Sequence, residues 1–317
     1  MLLSVEKLQI AFGQFTAVRD ATLSVRKGQI LGLVGESGSG KSITATAIVG
    51  LLGYVGGHIA SGRVLFDGED LTSMYEERLR RLRGKRIGLI TQNPMTSLDP
   101  LITVGKQIDQ ATRLHLGLGR RAAVERSLAL MKDVRIPDPV KVHGLYPHQL
   151  SGGMKQRIVI AMALAAEPDL LIADEPTTAL DATVQAQIMR ILVELVKERG
   201  LGMILITHDM GVVAQTCDEV AVMYCGRIVE RSPVHAVFAT PRHPYTEALI
   251  RCIPRSTMQT GTLVGIPGQV PSPVALPKGC SFHPRCGKSQ SICHERVPEF
   301  RQGQGHAGVA CHLVESL

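Results

Sequence analysis

The chain has 317 residues, more than a typical single domain, which points to one large domain with a smaller appendage. An apolar fraction of 44% with 32 glycines suits a globular α/β protein with many tight strand-to-helix turns, and no apolar run is long enough to span a bilayer. The formal charge of +7 comes largely from scattered arginines and one cluster from Arg78 to Arg86; with 3% aromatics and no tryptophan it has no stacking platforms beside it, so nucleic acid is not the expected partner. A solvated face near an anionic membrane surface accounts for that charge as well. The N-terminus, Met1 to Lys7, has no basic stretch followed by an apolar block, so the expectation is a chain made and retained in the cytoplasm.

In chain order, β-rich runs near Leu3–Ile10 and Thr22–Arg26 open the sequence. The continuous apolar run Ile30–Val34 then reads as a buried strand that ends in a glycine loop. That loop, Gly35-Glu36-Ser37-Gly38-Ser39-Gly40-Lys41-Ser42, fits the phosphate-loop pattern G-x-x-x-x-G-K-[ST] and opens a helix expected from Lys41 to about Leu52. Glycines let backbone N–H groups approach phosphate oxygens, and a helix N-terminus adds favourable dipole potential. Lys41 is expected to reach the β/γ-phosphates and the Ser42 hydroxyl to ligate Mg²⁺.

From Thr96 to Val134 the pattern is helical and amphipathic. Leu150-Ser151-Gly152-Gly153 then starts another helix, where serine and glycine offer a second anion-compatible N-terminus; an ordinary Ser-capped helix is the plainer alternative. A second apolar strand, Leu170–Ala173, ends in Asp174 and Glu175. Downstream of a phosphate loop, Asp174 suits a Mg²⁺ partner, bound directly or through one of the ion's own ligands, and Glu175 a general base that orients the attacking water. An amphipathic helix from about Ala182 to Lys197 and a third apolar strand, Met203–Ile206, follow. Strands alternating with helices imply right-handed crossovers and a mainly parallel sheet.

After about residue 240 recurrent prolines break up any long helix or central strand, so the remainder reads as an extension. Four of the seven cysteines, Cys280, Cys286, Cys293 and Cys311, fall within it, spaced C-x₅-C-x₆-C-x₁₇-C. This is neither a paired C-x₂-C zinc knuckle nor a ferredoxin run. Three close thiolates and a fourth from a returning loop suit a metal centre, and such a centre would stabilise a tail poor in apolar residues. An iron–sulfur cluster, zinc and free thiols all stay open from the spacing, with His283, His294, His306 and His312 as alternative ligands.

Taken together, the ordered motifs from about residue 3 to 235 resemble the ATP-binding cassette family. The resemblance implies a P-loop NTPase fold, an α/β RecA-like core with a mainly parallel sheet, over residues 1–240, with a helical signature subdomain at about 95–160. It implies ATP and Mg²⁺ as ligands, with Gly35, Ser37, Gly38, Ser39, Gly40, Lys41 and Ser42 at the phosphates. Ser151, Gly152 and Gly153 look like the signature that closes over nucleotide held by an opposing subunit. Gln92, after the strand Ile87–Thr91, looks like the glutamine that senses Mg²⁺ or water and couples to the membrane domain. Ala179-Leu180-Asp181 looks like the loop that crosses the dimer interface, and His208, after Met203–Thr207, like the switch histidine. Phe12 takes the place of the aromatic that stacks on adenine. Each has a plainer alternative: Gln92 as a polar strand end, Asp181 as a helix N-cap, His208 as a buried histidine, and Phe12 as core packing. Asn93 departs from the family's usual acidic residue after the glutamine, and Gly287 from the proline that often follows the second tail cysteine.

Within that family, Pro241–Leu249, Gly265–Pro271 and Gly279–Cys286, with Pro94–Pro100 and Tyr146–Gln149, look like the oligopeptide/dipeptide group of importers, whose members also handle nickel. The resemblance implies an irregular C-terminal extension over 241–317 whose four cysteines bind a [4Fe–4S] cluster, with zinc as the alternative. It implies ATP hydrolysis coupled to solute import at the cytoplasmic face of the inner membrane. The implied partners are a second, different ATPase subunit, two membrane permease subunits and an extracytoplasmic substrate-binding protein. A nucleic-acid-associated ATPase of the same family with a zinc-binding tail is the alternative, which the short interval between phosphate loop and signature disfavours.

Overall fold

The computed structural model describes residues 1–178, 180–253, 265–303 and 305–314. Ala179 of the Ala-Leu-Asp motif and Pro254 lie outside the described residues. The strands are β1 (Leu3–Phe12), β2 (Phe15–Val25), β3 (Ile30–Val34), β4 (His58–Phe66), β5 (Glu69–Asp70), β6 (Ile87–Ile90), β7 (Leu170–Asp174), β8 (Gly202–Thr207), β9 (Glu219–Tyr224), β10 (Arg227–Pro233), β11 (Arg301–Gln302) and β12 (Gly308–Val309). The α-helices are α1 (Lys41–Ile48), α2 (Glu76–Leu82), α3 (Pro94–Ser97), α4 (Val104–Leu116), α5 (Arg120–Asp133), α6 (Pro139–His143), α7 (Gly152–Ala163), α8 (Ala182–Arg199), α9 (Met210–Thr216), α10 (Val234–Ala239), α11 (Pro244–Arg251) and α12 (Ser291–Glu295). They fall into two compact units, one of Met1–Leu2, Val25–Gln29 and Ser73–Leu205, the other of Leu3–Ser24, Ile30–Thr72 and Ile206–Leu317.

In the unit that begins at Leu3 the strand order is β5-β4-β1-β2-β10-β9-β3. The sheet is mixed: β3 pairs with β9 in parallel, whereas β1 with β4 and β9 with β10 are antiparallel. In β1 the buried positions Leu3 and Val5 are followed by Leu8 and Ile10, a change of phase by one residue. A β-bulge between Glu6 and Gln9 absorbs it, so both pairs face the core despite the shift. Opposite the bulge sits Gly62 (φ 87°), where a Cβ would lie 2.4 Å from the Lys7 carbonyl oxygen. Helix α1 ends before the sequence pattern suggests, because Gly50 adopts a left-handed φ of 69° and its N–H closes back on Ala47.

The segment beyond residue 240 is part of this same unit. Strand β12 extends the ladder of β10, pairing Val309 with Glu230 and Gly308 with Arg231. Tyr245 and Phe282 enter a core shared with Val34, Val222, Tyr224 and Val237. The tail thus packs its few large apolar residues onto the β3–β9–β10 face.

In the other unit β6 and β7 run parallel, with β8 beyond β7. Helices α4, α5 and α7 pack on one another. Their buried positions recur at helical spacing, as in Val104, Gln107, Ile108 and Thr112 of α4. Helix α8 is capped at its start by Asp181, whose side chain accepts from Val184 N at 2.9 Å, and at its end by Gly200 in the left-handed region.

Candidate active site

The loop after β3 is shaped by contacts that exclude side chains. A Cβ on Gly35 would lie 2.2 Å from the Met223 carbonyl oxygen, so the chain passes β9 only as glycine. Gly40, at φ 106°, is the N-cap of α1 and has no side chain to cap the helix. No acidic residue occupies the first turn of α1, which suits an approaching anion. Lys41 is buried, and its Nζ donates to the carbonyl oxygens of Gly35 (2.7 Å) and Glu36 (2.9 Å) and to Ser39 Oγ (3.3 Å). The lysine that the pattern places at the phosphates is therefore folded onto the loop's own acceptors, while Ser42 beside it is exposed.

A second group forms where β6 and β7 end. Gln92 Nε2 donates to Glu175 Oε2 at 3.1 Å, and Thr178 Oγ1 donates to the same oxygen at 3.0 Å. Glu175 holds a left-handed φ of 46°, uncommon for a residue with a side chain. Sequence reasoning placed Gln92 and Glu175 in related roles, and the structure brings them into contact across 83 residues. Thr178, the third member, belongs to none of the motifs read from the sequence.

The signature segment lies in the same unit. Ser151 is the N-cap of α7 and accepts from Met154 N at 3.3 Å. A Cβ on Gly153 would lie 2.8 Å from Val184 Cγ1 of α8, and one on Gly152 3.3 Å from Leu180 Cδ2. These glycines let α7 begin close against the start of α8.

His208 follows β8 and is exposed, so it is not the buried histidine of its plainer reading; the next residue, Asp209, caps α9 by accepting from Gly211 N (2.7 Å) and Val212 N (3.2 Å). Phe12 stacks on Phe15 with ring centroids 5.5 Å apart and lies over Gly57, where a Cβ would come within 2.8 Å of its ring. Asn93 caps α3, accepting from Met95 N at 2.9 Å.

The tail meets the glycine loop through residues that sequence reasoning missed. Arg285 and Glu36 form a two-bond ion pair, and Tyr245 Oη accepts from Glu36 N at 2.9 Å. Their separation of 249 positions hid the pair; an isolated arginine beside a cysteine gave no local signal. Glu230 is a second such residue. Buried on β10, its two oxygens accept from Arg242 N and His243 N, both at 2.9 Å, just ahead of α11.

Cys280, Cys286, Cys293 and Cys311 line one small cavity with Phe282, His283 and His312. Burial pushes the Cys280 thiol up to about 11, and it also raises Cys286 and Cys311, with neighbouring thiols adding to each. Among the described residues, however, no group of three or more His, Cys, Asp or Glu is placed so as to hold a metal ion. The expected metal centre therefore finds no assembled ligand set among these residues, although four cysteines lining one cavity have the donor chemistry of a thiolate-ligated group. His283 Nδ1 lies 2.9 Å from the Cys280 carbonyl oxygen and His312 Nε2 2.9 Å from that of Arg296, which engages both as hydrogen-bond partners.

Comparison with known proteins decides the family. The ABC transporter model matches residues 18–178, which hold the glycine loop, the signature and the carboxylates. The chain belongs to the ABC transporter family. Like other ABC transporter ATP-binding proteins it is an ATPase, and ATP with Mg²⁺ fits such an enzyme. A second model, for the C-terminal region of oligopeptide/dipeptide transporters, matches residues 229–293.

This ABC ATPase is 44% identical over 315 residues to the dipeptide transport ATP-binding protein DppD of Escherichia coli (strain K12), covering 98% of this chain and 96% of that one. It is 46% identical to the oligopeptide transport ATP-binding protein OppD of Salmonella typhimurium (strain LT2), covering 100% and 95%. Among solved structures it is similar to cbiO1 from Clostridium perfringens, part of the cbiONQ ABC transporter complex, with a TM-score of 0.66 at 30% identity over 75% of this chain and 90% of that one. It is also similar to a dimeric ATP-binding cassette in a post-hydrolysis state bound to ADP and Pi, with a TM-score of 0.65 at 25% identity over 73% and 98%. No helix among the described residues is long and apolar enough to cross a membrane.

Proposed function

We propose that this ABC ATPase powers import of di- or oligopeptides. The observation that carries the reading is end-to-end similarity to dipeptide and oligopeptide transport ATP-binding proteins, tail included. In this reading residues 1–240 are the nucleotide-binding domain, with its helical subdomain at about 95–160, and 241–317 are the extension. The chain works on the cytoplasmic face of the inner membrane beside a second, different ATPase subunit. Two permease subunits carry the solute, delivered by an extracytoplasmic binding protein.

The residues divide the work as follows. The backbone from Gly35 to Gly40, with Ser37, Gly38 and Ser39, wraps the phosphates, and Lys41 exchanges its loop carbonyls for the β/γ-phosphate oxygens. Phe12 stacks on the adenine. Ser42, Gln92 and Asp174 hold Mg²⁺, which when bound neutralises charge on the phosphate oxygens. Glu175 takes the proton of the attacking water, its carboxylate oriented by Gln92 and Thr178. His208 contacts the γ-phosphate. Ser151, Gly152 and Gly153 close over the nucleotide of the opposing subunit, and Asp181 crosses to that subunit. Support for these roles comes from the intact motif order and from the Gln92–Glu175 contact.

Cys280, Cys286, Cys293 and Cys311 hold a [4Fe–4S] cluster in this reading, supported by their shared cavity and their all-sulfur donor set, and zinc is the competing occupant. Such a centre supplies a cross-link to a tail with a small apolar core. The transport reading is tested by uptake of a labelled dipeptide into proteoliposomes holding this chain with its permease and partner ATPase subunits. ATP-dependent uptake is expected; ATP hydrolysis that no peptide stimulates, with no uptake, would overturn the peptide assignment.

A further inference from the structure

Glu36 is the second residue of the glycine loop, a position where the phosphate-loop pattern demands nothing. It is nevertheless held through its side chain, its N–H and its carbonyl oxygen alike. Arg285 Nη1 donates to Glu36 Oε2 at 2.8 Å and Nη2 to Oε1 at 3.0 Å, a parallel fork that matches guanidinium to carboxylate. The Arg285 side chain is only 3% exposed and that of Glu36 29%, so solvent is kept from the guanidinium and reaches only part of the carboxylate. Its other bonds fix it as a rigid post: Nε donates to Pro267 O at 2.9 Å, Nη2 also to Ile266 O at 3.3 Å, and Nη1 also to Tyr224 Oη at 3.3 Å. The guanidinium carbon lies 6.0 Å from the ring centroids of both Tyr224 and Phe282.

The backbone of Glu36 is held from the same side. Its N–H donates to Tyr245 Oη, and the Tyr245 ring packs against Tyr224 and Phe282 at centroid distances of 4.5 and 5.3 Å. Its carbonyl oxygen accepts from Lys41 Nζ and from Ser39 N. Whatever fixes Glu36 therefore fixes the turn and the resting place of the lysine. Three glycines between residues 35 and 40 give this loop a large conformational space when nothing restrains it.

We infer that Arg285, backed by Tyr245, is a positioning residue for the phosphate loop, so that the C-terminal extension sets how readily the loop takes nucleotide. The inference rests on the proposed role of Gly35–Ser42 as the nucleotide loop.

The test is binding of a fluorescent ATP analogue to the full chain, with KM and kcat for ATP measured in the assembled transporter. Variants are Arg285→Ala, Glu36→Gln, the double variant, Arg285→Lys and Lys41→Ala. If release leaves the loop in its binding shape only a third to a tenth of the time, Arg285→Ala and Glu36→Gln each weaken binding about three- to tenfold. The loss falls on KM rather than kcat, the double variant is no weaker than the worse single one, and Arg285→Lys recovers only part because it cannot make the fork. Glu36→Gln keeps the side-chain shape, so it reports even where Arg285→Ala lowers stability. Wild-type affinity in Glu36→Gln and Arg285→Ala, alongside lost binding in Lys41→Ala, would overturn the proposal alone. Undiminished binding in Lys41→Ala would remove the nucleotide-loop reading, and the proposal with it.

Discussion

Gln92 Nε2 donates to Glu175 Oε2 across 3.1 Å, joining the end of β6 to the residue just past β7. With Thr178 donating to the same oxygen, the carboxylate is aimed by two side chains rather than left free to rotate. Replacing Gln92 with Ala removes one of these donors while leaving the glycine loop untouched. A hydrogen bond to a charged group is worth about 1.5–3 kcal/mol, so hydrolysis at saturating ATP is expected to fall by roughly tenfold or more. Phosphate release measured against a binding titration without Mg²⁺ checks this, since affinity for metal-free ATP should change far less than turnover.

Gly153 is a packing requirement as well as part of the segment proposed to close over nucleotide. An alanine there places its Cβ 2.8 Å from Val184 Cγ1, and overpacking of this kind costs about 1–3 kcal/mol. Gly153→Ala should therefore lower the melting temperature, and adding Val184→Ala should restore part of the loss. Thermal denaturation of the single and double variants measures it.

His243 gives stability a pH dependence of known sign. Burial pushes it down to about 3 from an ordinary 6.5, so it stays neutral in the folded chain while the unfolded chain takes up a proton below about pH 6.5. Its contribution is complete above that pH and is lost as pH falls towards 3, by up to about 1.4 kcal/mol per pH unit. Its Nδ1 accepts from Tyr245 N at 3.0 Å, a role that glutamine can fill. Burial raises the neighbouring Glu230, which gives a slope of opposite sign above the usual carboxylate range. Comparing urea midpoints of wild type and His243→Gln between pH 7 and pH 4.5 isolates the histidine, and the variant should show the shallower loss.

Two cysteines outside the tail, Cys217 and Cys225, are shielded by the fold. Burial pushes Cys217 up to about 12 and Cys225 up to about 11, so both should resist alkylation in the folded chain at neutral pH. Protein purified without oxygen should carry about four irons with broad visible absorption, lost in Cys286→Ser. Stoichiometric zinc, or no metal, would remove the cluster and leave the ATPase assignment in place.

Much of the residue set proposed to handle nucleotide is legible because phosphate chemistry dictates local patterns. The glycine loop, the apolar strand ending in Asp174 and Glu175, and the Ser-Gly-Gly helix start all announce themselves within a few residues. Strands β4 and β10 did not, because polar and charged residues such as Arg63, Glu230 and Arg231 interrupt them. Arg231 is buried on β10 with Glu219 as its partner at 2.8 Å, a compensation that only tertiary structure reveals. The run expected at Leu3–Ile10 spans the bulge in β1 and falls only two residues short of the observed end at Phe12. The tail's hold on the loop was invisible for a further reason. Arg285, Tyr245 and Glu36 meet only after more than 200 residues have folded, and nothing near any of them specifies the others.

The most direct test of the chain as an ATP-driven transport subunit is a Glu175→Gln variant in the assembled transporter in proteoliposomes. An amide cannot take the proton of the attacking water, so hydrolysis should fall about 10²- to 10⁴-fold, peptide uptake should cease with it, and ATP should still bind. Hydrolysis and uptake at wild-type rates in that variant would contradict the role of Glu175 and the reading of the site built around it.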